Sequence, residues 1–238
     1  LLHSGVEITD KNDAEITDRV ISGIGDVMGK ISTSDNANGE WFSAAGPKRG
    51  KLVGINKVEL NLGSPGFAAQ ADVIYEKGVN TIIEDAGRIM YWGNRTMQID
   101  KTKLLSKANI SDLVIFISRT VRGIAKEIMF DPNDPISWNL LYRSVRPFII
   151  TLVDGRAIRG DNSTTKGEGK LWHWFGDQFA SADLSDLQFN DKVEIDAGKY
   201  RARFAFVPIA AIEYIAIDIA PTDTITIKNV SQLVNPNG

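Results

Sequence analysis

The sequence contains no cysteine and only two histidines, His3 and His173. Without cysteine there is no disulfide, no thiol nucleophile and no thiolate zinc site. Two histidines give no basis for a multi-histidine metal centre, and no cofactor is expected. A basic excess is also missing: 27 lysines and arginines face 30 aspartates and glutamates, a net charge of −3. A protein that coats nucleic acid carries the opposite balance, so no nucleic-acid partner is expected. No apolar run approaches the roughly 20 residues that span a bilayer, so membrane insertion is not expected. The opening residues do not read as a signal peptide.

What is present is ordinary for a globular chain. The 238 residues are 43% apolar and 24% charged, enough to bury a core as one large domain or two small ones. The chain opens on Leu1 rather than methionine, which reads as a piece of a longer protein or a processed product.

Along residues 1–40, Ile16, Val20, Ile24, Val27 and Met28 recur at helical spacing behind Asp13 as a cap, although Gly23 and Gly25 weaken such a helix. "KISTSDNANGE" (30–40) reads as a polar loop. Leu52, Val58, Leu60 and Leu62 alternate as short strands. Ser64-Pro65 opens a helix over 65–77 that ends near Gly78. "VNTIIED" (79–85) is a buried strand, "AG" turns the chain, and "RIMYW" returns.

The clearest helix spans about 110–129, with Asn109 as cap and Asp112 near its positive end. Ile110, Leu113, Val114, Ile117, Val121, Ile124, Ala125 and Ile128 hold one face. A second helix runs over 135–152, with Asp134 as cap and Pro135 at its first position. Its seam is Trp138, Leu141, Val145, Phe148 and Leu152, and Pro147 is expected to kink it. Residues 160–190 read as a long polar excursion. "KYRARFAFV" then puts Tyr200, Ala202, Phe204 and Phe206 on one strand face and Arg201 and Arg203 on the other. "AAIEYIAIDI" reads as a mostly buried strand. Thr222–Val230 alternates, and Thr224, Ile225, Thr226, Ile227 and Lys228 form a candidate strand for another subunit or for the chain's own sheet.

Chemical motifs are few. "GIGDVMGKIS" (23–32) resembles a phosphate loop, but Ile24 stands where the first glycine belongs and Ile31 follows the lysine. His173 sits in "WHWF", an aromatic cluster able to stack on sugars or bases, more simply read as a loop anchored by apolar rings. Asp131 and Asp134 in "DPNDP" lack the glycine of a calcium loop and read as turn and cap. Arg143, Arg146, Arg156 and Arg159 form a basic group, by default a solvated face and alternatively a contact for an acidic protein surface. In "GRIMYWGNRTM" (87–97), Gly93-Asn94 reads as a turn or bulge between two strands, and no nucleophile has a base beside it.

Taken in order, four stretches resemble the C-terminal region of the contractile tail sheath protein family. They are "KGVNTIIEDAGRIMYWGNRTM" (77–97), "ANISDLVIFISRTVRGIAKEIMFDPNDPISW" (108–138), "LLYRSVRPFIITLVDGRAIRG" (140–160) and "IDAGKYRARFAFVPIAAIEYIAIDI" (195–219). The matching motif residues are Trp92, Gly93, Arg95 and Thr96, then Pro132, Asn133 and Trp138. Residues 1–40 and "KGEGKLWHWFGDQF" match nothing in that family, an alanine replaces a frequent second proline in "FVPIAAIEYI", and the family's N-terminal arm is missing.

The resemblance implies a structural protein and not an enzyme. It implies a mixed α/β (α+β) fold: a central mixed sheet flanked by helices, plus a smaller β-rich portion. Residues 1–60 would belong to an outer domain and 61–238 to the sheath C-terminal domain. Sheath subunits form six-membered rings stacked helically around an inner tail tube above a baseplate. They are assembled in the host cytoplasm, become part of the virion tail, and contract to drive the tube through the host envelope. Terminal arms add strands to neighbouring sheets while rigid domains rotate about those links. Within this picture Trp92 packs under the sheet, Gly93 permits a turn, and Arg95 pairs locally or across subunits. A piece without the arms is expected to be monomeric. The competing readings are a baseplate or tail protein sharing the domain, and a carbohydrate-active or phosphate-handling enzyme using carboxylates and the Trp172–Phe175 cluster.

Overall fold

A computed structural model of the chain describes residues 5–8, 19–55, 57–58, 67–98, 100–176 and 192–213. Strands β1 (Gly5–Ile8), β2 (Arg19–Ser22) and β3 (Lys57–Val58) form an antiparallel sheet in the order β2-β1-β3, with Val6 opposite both Ile21 and Val58. Val20 therefore lies in a strand, not in the expected helix. The helix α1 instead covers Ile24–Asn38 and takes in most of the segment expected to be a polar loop.

The reason is visible in its side chains. Thr33 Oγ1 donates to the Gly29 carbonyl (2.8 Å) and Asn38 Nδ2 to the Ser34 carbonyl (3.0 Å). Polar residues that usually compete with a helix here bond backwards within it. Only Val27 and Ser34 are buried along α1, which is why no apolar stripe announced it. The short helix α2 (Gly46–Arg49) follows.

Helix α3 (Phe67–Glu76) ends two residues before Gly78, which has φ +84°, close to the expected bounds. The hairpin of β4 (Thr81–Asp85) and β5 (Arg88–Trp92) also forms as expected, with Ile83 opposite Met90. Its turn is Ala86-Gly87, both at positive φ (+48° and +72°), the two-residue geometry whose twist matches antiparallel strands.

Each face of the hairpin is covered. Ile82 and Tyr91 pack with Val27, Leu52, Ile55 and Val58, while Ile83 and Met90 pack against Ile74 of α3. Residues 50–52 run along β5: Leu52 N donates to the Ile89 carbonyl and Tyr91 N to the Gly50 carbonyl, both at 2.9 Å. The apolar core thus crosses the boundary expected at 60/61.

The larger core lies between α4 (Ala108–Ala125), extended by a 3₁₀ turn at Lys126–Ile128, and α5 (Pro135–Asp154). Leu113 and Ile117 meet Leu141, Val145, Ile149 and Leu152. Asp134 caps α5 as expected, its Oδ1 accepting from Ser137 N at 2.9 Å. Ile149 is fully buried, whereas Phe148, expected in the seam, is half-buried and faces the Phe116 ring at 5.8 Å. Pro147 lies within an uninterrupted helix.

Part of the expected polar excursion is core structure. β6 (Trp172–Phe175) pairs antiparallel with β7 (Arg203–Phe206), placing Trp172 opposite Phe206 and Trp174 opposite Phe204. Trp172 and Trp174 join the α4–α5 core. A short helix α6 (Lys192–Asp196) was not anticipated. Phe204 and Phe206 pack inward while Arg201 and Arg203 are exposed, but Tyr200 precedes the strand.

The fold is mixed α/β. Among the described residues its strands divide among three small antiparallel sheets instead of joining one central sheet. Ala211–Glu213 are not strand. The remainder of "AAIEYIAIDI" and the candidate strand Thr224, Ile225, Thr226, Ile227 and Lys228 lie outside the described residues.

Candidate functional site

The motif Trp92-Gly93-Asn94-Arg95-Thr96 leaves the end of β5 and crosses to the start of α4. Gly93 has φ +144°, and a Cβ there would fall inside the Asn80 side chain. Glycine is needed for both reasons: few L residues adopt that φ, and none has room. Asn80 then treats Arg95 as a strand neighbour would. Its Oδ1 accepts from Arg95 N (2.9 Å) and its Nδ2 donates to the Arg95 carbonyl (2.8 Å). The chain does not turn back into a hairpin at Gly93-Asn94. Arg95 bridges Lys107, and Thr96 N donates to the Ser106 carbonyl at 2.9 Å. Thr96 Oγ1 donates to the Leu105 carbonyl at 2.7 Å.

Asn94 supplies the cap that sequence spacing assigned to Asn109. Lys107 is the N-cap of α4 and has no capping side chain. Asn94 instead accepts twice: its carbonyl from Ala108 N (2.9 Å) and its Oδ1 from Asn109 N (3.1 Å). These are among the orphan amides of a helix start. Asn94 Nδ2 donates to Asn109 Oδ1 (2.8 Å), and Asn109 Nδ2 reaches the Trp41 carbonyl (3.3 Å). Asn94 and Asn109 are both buried, so the exchange satisfies groups that would otherwise be costly.

A charged cluster closes the junction. Glu213 accepts from Lys107 Nζ through Oε1 (2.7 Å) and pairs with Arg95 Nη2 through Oε2 (3.2 Å). The Arg95 guanidinium lies over the Tyr75 ring, 4.9 Å from its centroid. Burial, and then the neighbouring Glu213 charge, raise the Tyr75 phenol above its ordinary value. Arg95 therefore pairs locally, within the chain. Trp92 does not pack under the sheet: it is 40% exposed, and Tyr91 and Met90 fill the adjoining core.

Asn133 and Trp138 form a second clamp, while Pro132 is exposed in the same turn. Asn133 Oδ1 accepts from Trp138 Nε1 (2.8 Å), while its Nδ2 donates to the Ile195 carbonyl (3.1 Å) and the Lys199 carbonyl (3.0 Å). The buried Trp138 indole stacks on Tyr200, with centroids 5.5 Å apart and planes 12° apart. One asparagine thus ties the α4–α5 turn to α5 and to the end of α6. Asp131 is exposed in the same turn.

The other candidates resolve as structure. His173 lies within β6, opposite Ala205, edge-on to Phe175. The flanking Trp172 and Trp174 are buried, so their faces are not offered to a sugar or base. Arg146 pairs with Glu168 at 3.2 Å, and Glu168 also accepts from Tyr142. Burial and that carboxylate push the Tyr142 phenol up to about 12. Arg143, Arg156 and Arg159 are exposed. Among the described residues no carboxylate–histidine group could hold a metal, and no helix is long and apolar enough to cross a membrane.

Sequence reasoning did not single out Asn80, Lys107 or Glu213, and it read Asn94 only as part of a turn or bulge. Glu213 carried a signal, as a lone carboxylate in the apolar run "AAIEYI". The asparagines carried none, because their partners are 15 residues away in sequence.

No family model matches the chain. The tail sheath protein of Vibrio phage KVP40 is 20% identical over 201 residues, covering 84% of this chain and 26% of that protein. The tail sheath protein of Salmonella phage ViI is 26% identical over 141 residues, covering 59% of this chain and 22% of that protein. Among solved structures, the helical sheath of the anti-feeding prophage in its contracted state superposes with a TM-score of 0.72 at 16% identity. It covers 93% of this chain and 55% of that one. The contracted PVC sheath complex of an extracellular contractile injection system gives 0.72 at 15% identity, with the same coverage.

The chain is similar in sequence to phage tail sheath proteins and shares the fold of solved contractile sheath chains.

The anti-feeding prophage baseplate, 6-fold symmetrised, also holds a chain of this fold, again with a TM-score of 0.72. The chain spans about a quarter of the length of the phage sheath proteins and about half of the solved sheath chains. The two clamps fall in the segments that carried the sequence resemblance, and both hold loops between elements of the shared fold.

Proposed function

We propose that this chain is part of a structural subunit of a contractile sheath. Copies stack as six-membered rings in a helix around an inner tail tube above a baseplate, and contraction drives the tube through the host envelope. The subunit is assembled in the host cytoplasm and is then part of the virion tail. The role is mechanical and not enzymatic. The observation that carries this reading is the shared fold, which runs through 93% of the chain onto a sheath in its contracted state. Sequence similarity to two phage tail sheath proteins points the same way.

The geometry suits a rigid unit. Asparagine amides fix the loops at both clamps, buried at Asn94 and Asn109 and half-buried at Asn133, and rigid units joined by terminal links are what a rotating assembly requires. In this account the 238-residue chain by itself is a monomer.

Sedimentation tests the reading. The whole protein carrying this chain should pellet as polymer, and the 238-residue chain should stay in the supernatant. A whole protein that remains a small, discrete oligomer across salt and protein concentrations would count against it, and would favour the alternative of a baseplate or tail protein sharing the domain.

A further inference from the structure

Glu213 stands where the described chain moves on toward its C-terminal residues, and its setting is unusual for a surface carboxylate. The residue as a whole is exposed, yet its side chain is only 19% exposed. The backbone runs along the surface while the carboxylate turns inward. It meets Lys107 at the N-cap of α4 (2.7 Å), Arg95 of the motif (3.2 Å) and the buried Asn94 amide (3.4 Å). Arg95 is in turn held by the Asn80 side chain at its backbone and by the Tyr75 ring at its guanidinium. Residues from α3, the exit of β5 and the start of α4 thus converge on one carboxylate that is distant in sequence from all of them.

The neighbouring backbone is tied differently. Val207 N bonds to the Leu171 carbonyl (2.9 Å) and Ile209 N to the Ala157 carbonyl (3.0 Å), neither of them a residue of the Glu213 cluster. Between Ile209 and Glu213 the side chains offer no apolar anchor of comparable size. Ile212 is 81% exposed, and Ala211 is half-buried.

We infer that Glu213 is the anchor that fixes where the C-terminal part of the chain departs, and that Arg95 and Lys107 are its receptor. The Trp-Gly-Asn-Arg-Thr junction then has two tasks. It starts α4, and it holds the root of residues 214–238. Three side chains that are each less than a quarter exposed make a latch that salt weakens but does not abolish at ordinary ionic strength. Its use in positioning a strand for a neighbouring subunit rests on the sheath reading; the anchoring itself does not.

The absence of cysteine makes the test direct. Single cysteines replacing Ile136 and Ile212, both exposed, carry nitroxide labels on the full 238-residue chain. Electron–electron resonance then reads the distance distribution between them. The anchor predicts one narrow distribution for the unsubstituted latch. It predicts loss of that narrow peak in Glu213→Gln, in Arg95→Met and in about 1 M salt, where screening reaches about 3 Å. The far-ultraviolet dichroism should stay native in all three. A peak equally narrow in all three, or a broad distribution before any change, would overturn the inference. Should a substituted chain fail to fold, the salt titration of the unsubstituted labelled chain decides alone. Sedimentation of the whole protein is read separately, so a failed sheath reading leaves this outcome intact.

Discussion

Asn80 holds Arg95 by both ends of its amide, accepting from the backbone N–H at 2.9 Å and donating to the backbone carbonyl at 2.8 Å. One side chain replaces a strand partner at the point where β5 ends. Asn80→Ala removes both bonds and leaves the half-buried peptide groups of Arg95 without them. The expected loss is about 2–3 kcal/mol in urea unfolding. Asn80→Asp keeps the acceptor and loses the donor, and should fall between the two. Equal midpoints for the parent and the alanine variant would show that the amide does not fix the junction.

Gly93 depends on the same side chain. Gly93→Ala places a methyl group inside Asn80 at a φ of +144° that alanine rarely adopts. Backbone strain of this kind costs about 1–3 kcal/mol, and displacement of Asn80 adds to it. Because the clash is with Asn80, the two alanine substitutions should be non-additive, the double variant losing less than the sum. A strictly additive cycle would separate the two residues.

The two motif tryptophans should behave oppositely. Trp138 is 3% exposed, stacked on Tyr200 and bonded to Asn133, so Trp138→Ala should cost about 3–5 kcal/mol. Trp92 is 40% exposed, and Trp92→Ala should cost about 1 kcal/mol or less. Thermal melts of the two variants compare them directly. A Trp92 variant as unstable as the Trp138 variant would contradict the packing described.

Acidic groups at the α1–α4 junction give a pH dependence with a definite sign. Burial, then the charges of Asp35 and Glu40, push the Asp112 carboxyl from 3.8 up to about 6. Asp35 is raised as well, by burial and then by Glu40. For Asp112 the folded value lies above the unfolded one, so the native state binds more protons between about pH 4 and pH 6. Its stabilising contribution is complete below about pH 4 and is lost as pH rises through about 6. Asp112 occupies an exposed helix position, and solvent screening keeps the effect under about 1 kcal/mol. Asp100 and Asp161 are lowered by their own side-chain and backbone bonds to Thr102 and Ser163, and they act in the opposite sense below 3.8. The urea midpoint should therefore rise as pH falls from 7 to 5, and Asp112→Asn should flatten that slope. A midpoint that falls over this range in the parent chain would refute the assignment.

The hairpin, α3, α5 with its Asp134 cap, and the apolar face of α4 were legible because their signals are local: periodicity, caps and turn residues within a few positions. Residues 30–38 misled because Thr33 and Asn38 turn their polar groups back onto helix carbonyls. "WHWF" misled because its strand partner, Arg203–Phe206, lies about thirty residues away and is invisible to a local pattern. The motif residues were found by resemblance, yet their tasks were not. Trp92 was placed under the sheet on the strength of the resemblance, and the asparagines that organise both clamps act through partners distant in sequence.

The central claim is that this fold builds a sheath. The most direct measurement is cryo-electron microscopy of the whole protein carrying this chain, under conditions in which it sediments. The account predicts hollow, helically striated tubes whose density repeats this fold in six-membered rings around the lumen. Particles of any other architecture, or tubes whose walls do not fit α4, α5 and the β4–β5 hairpin, would contradict it.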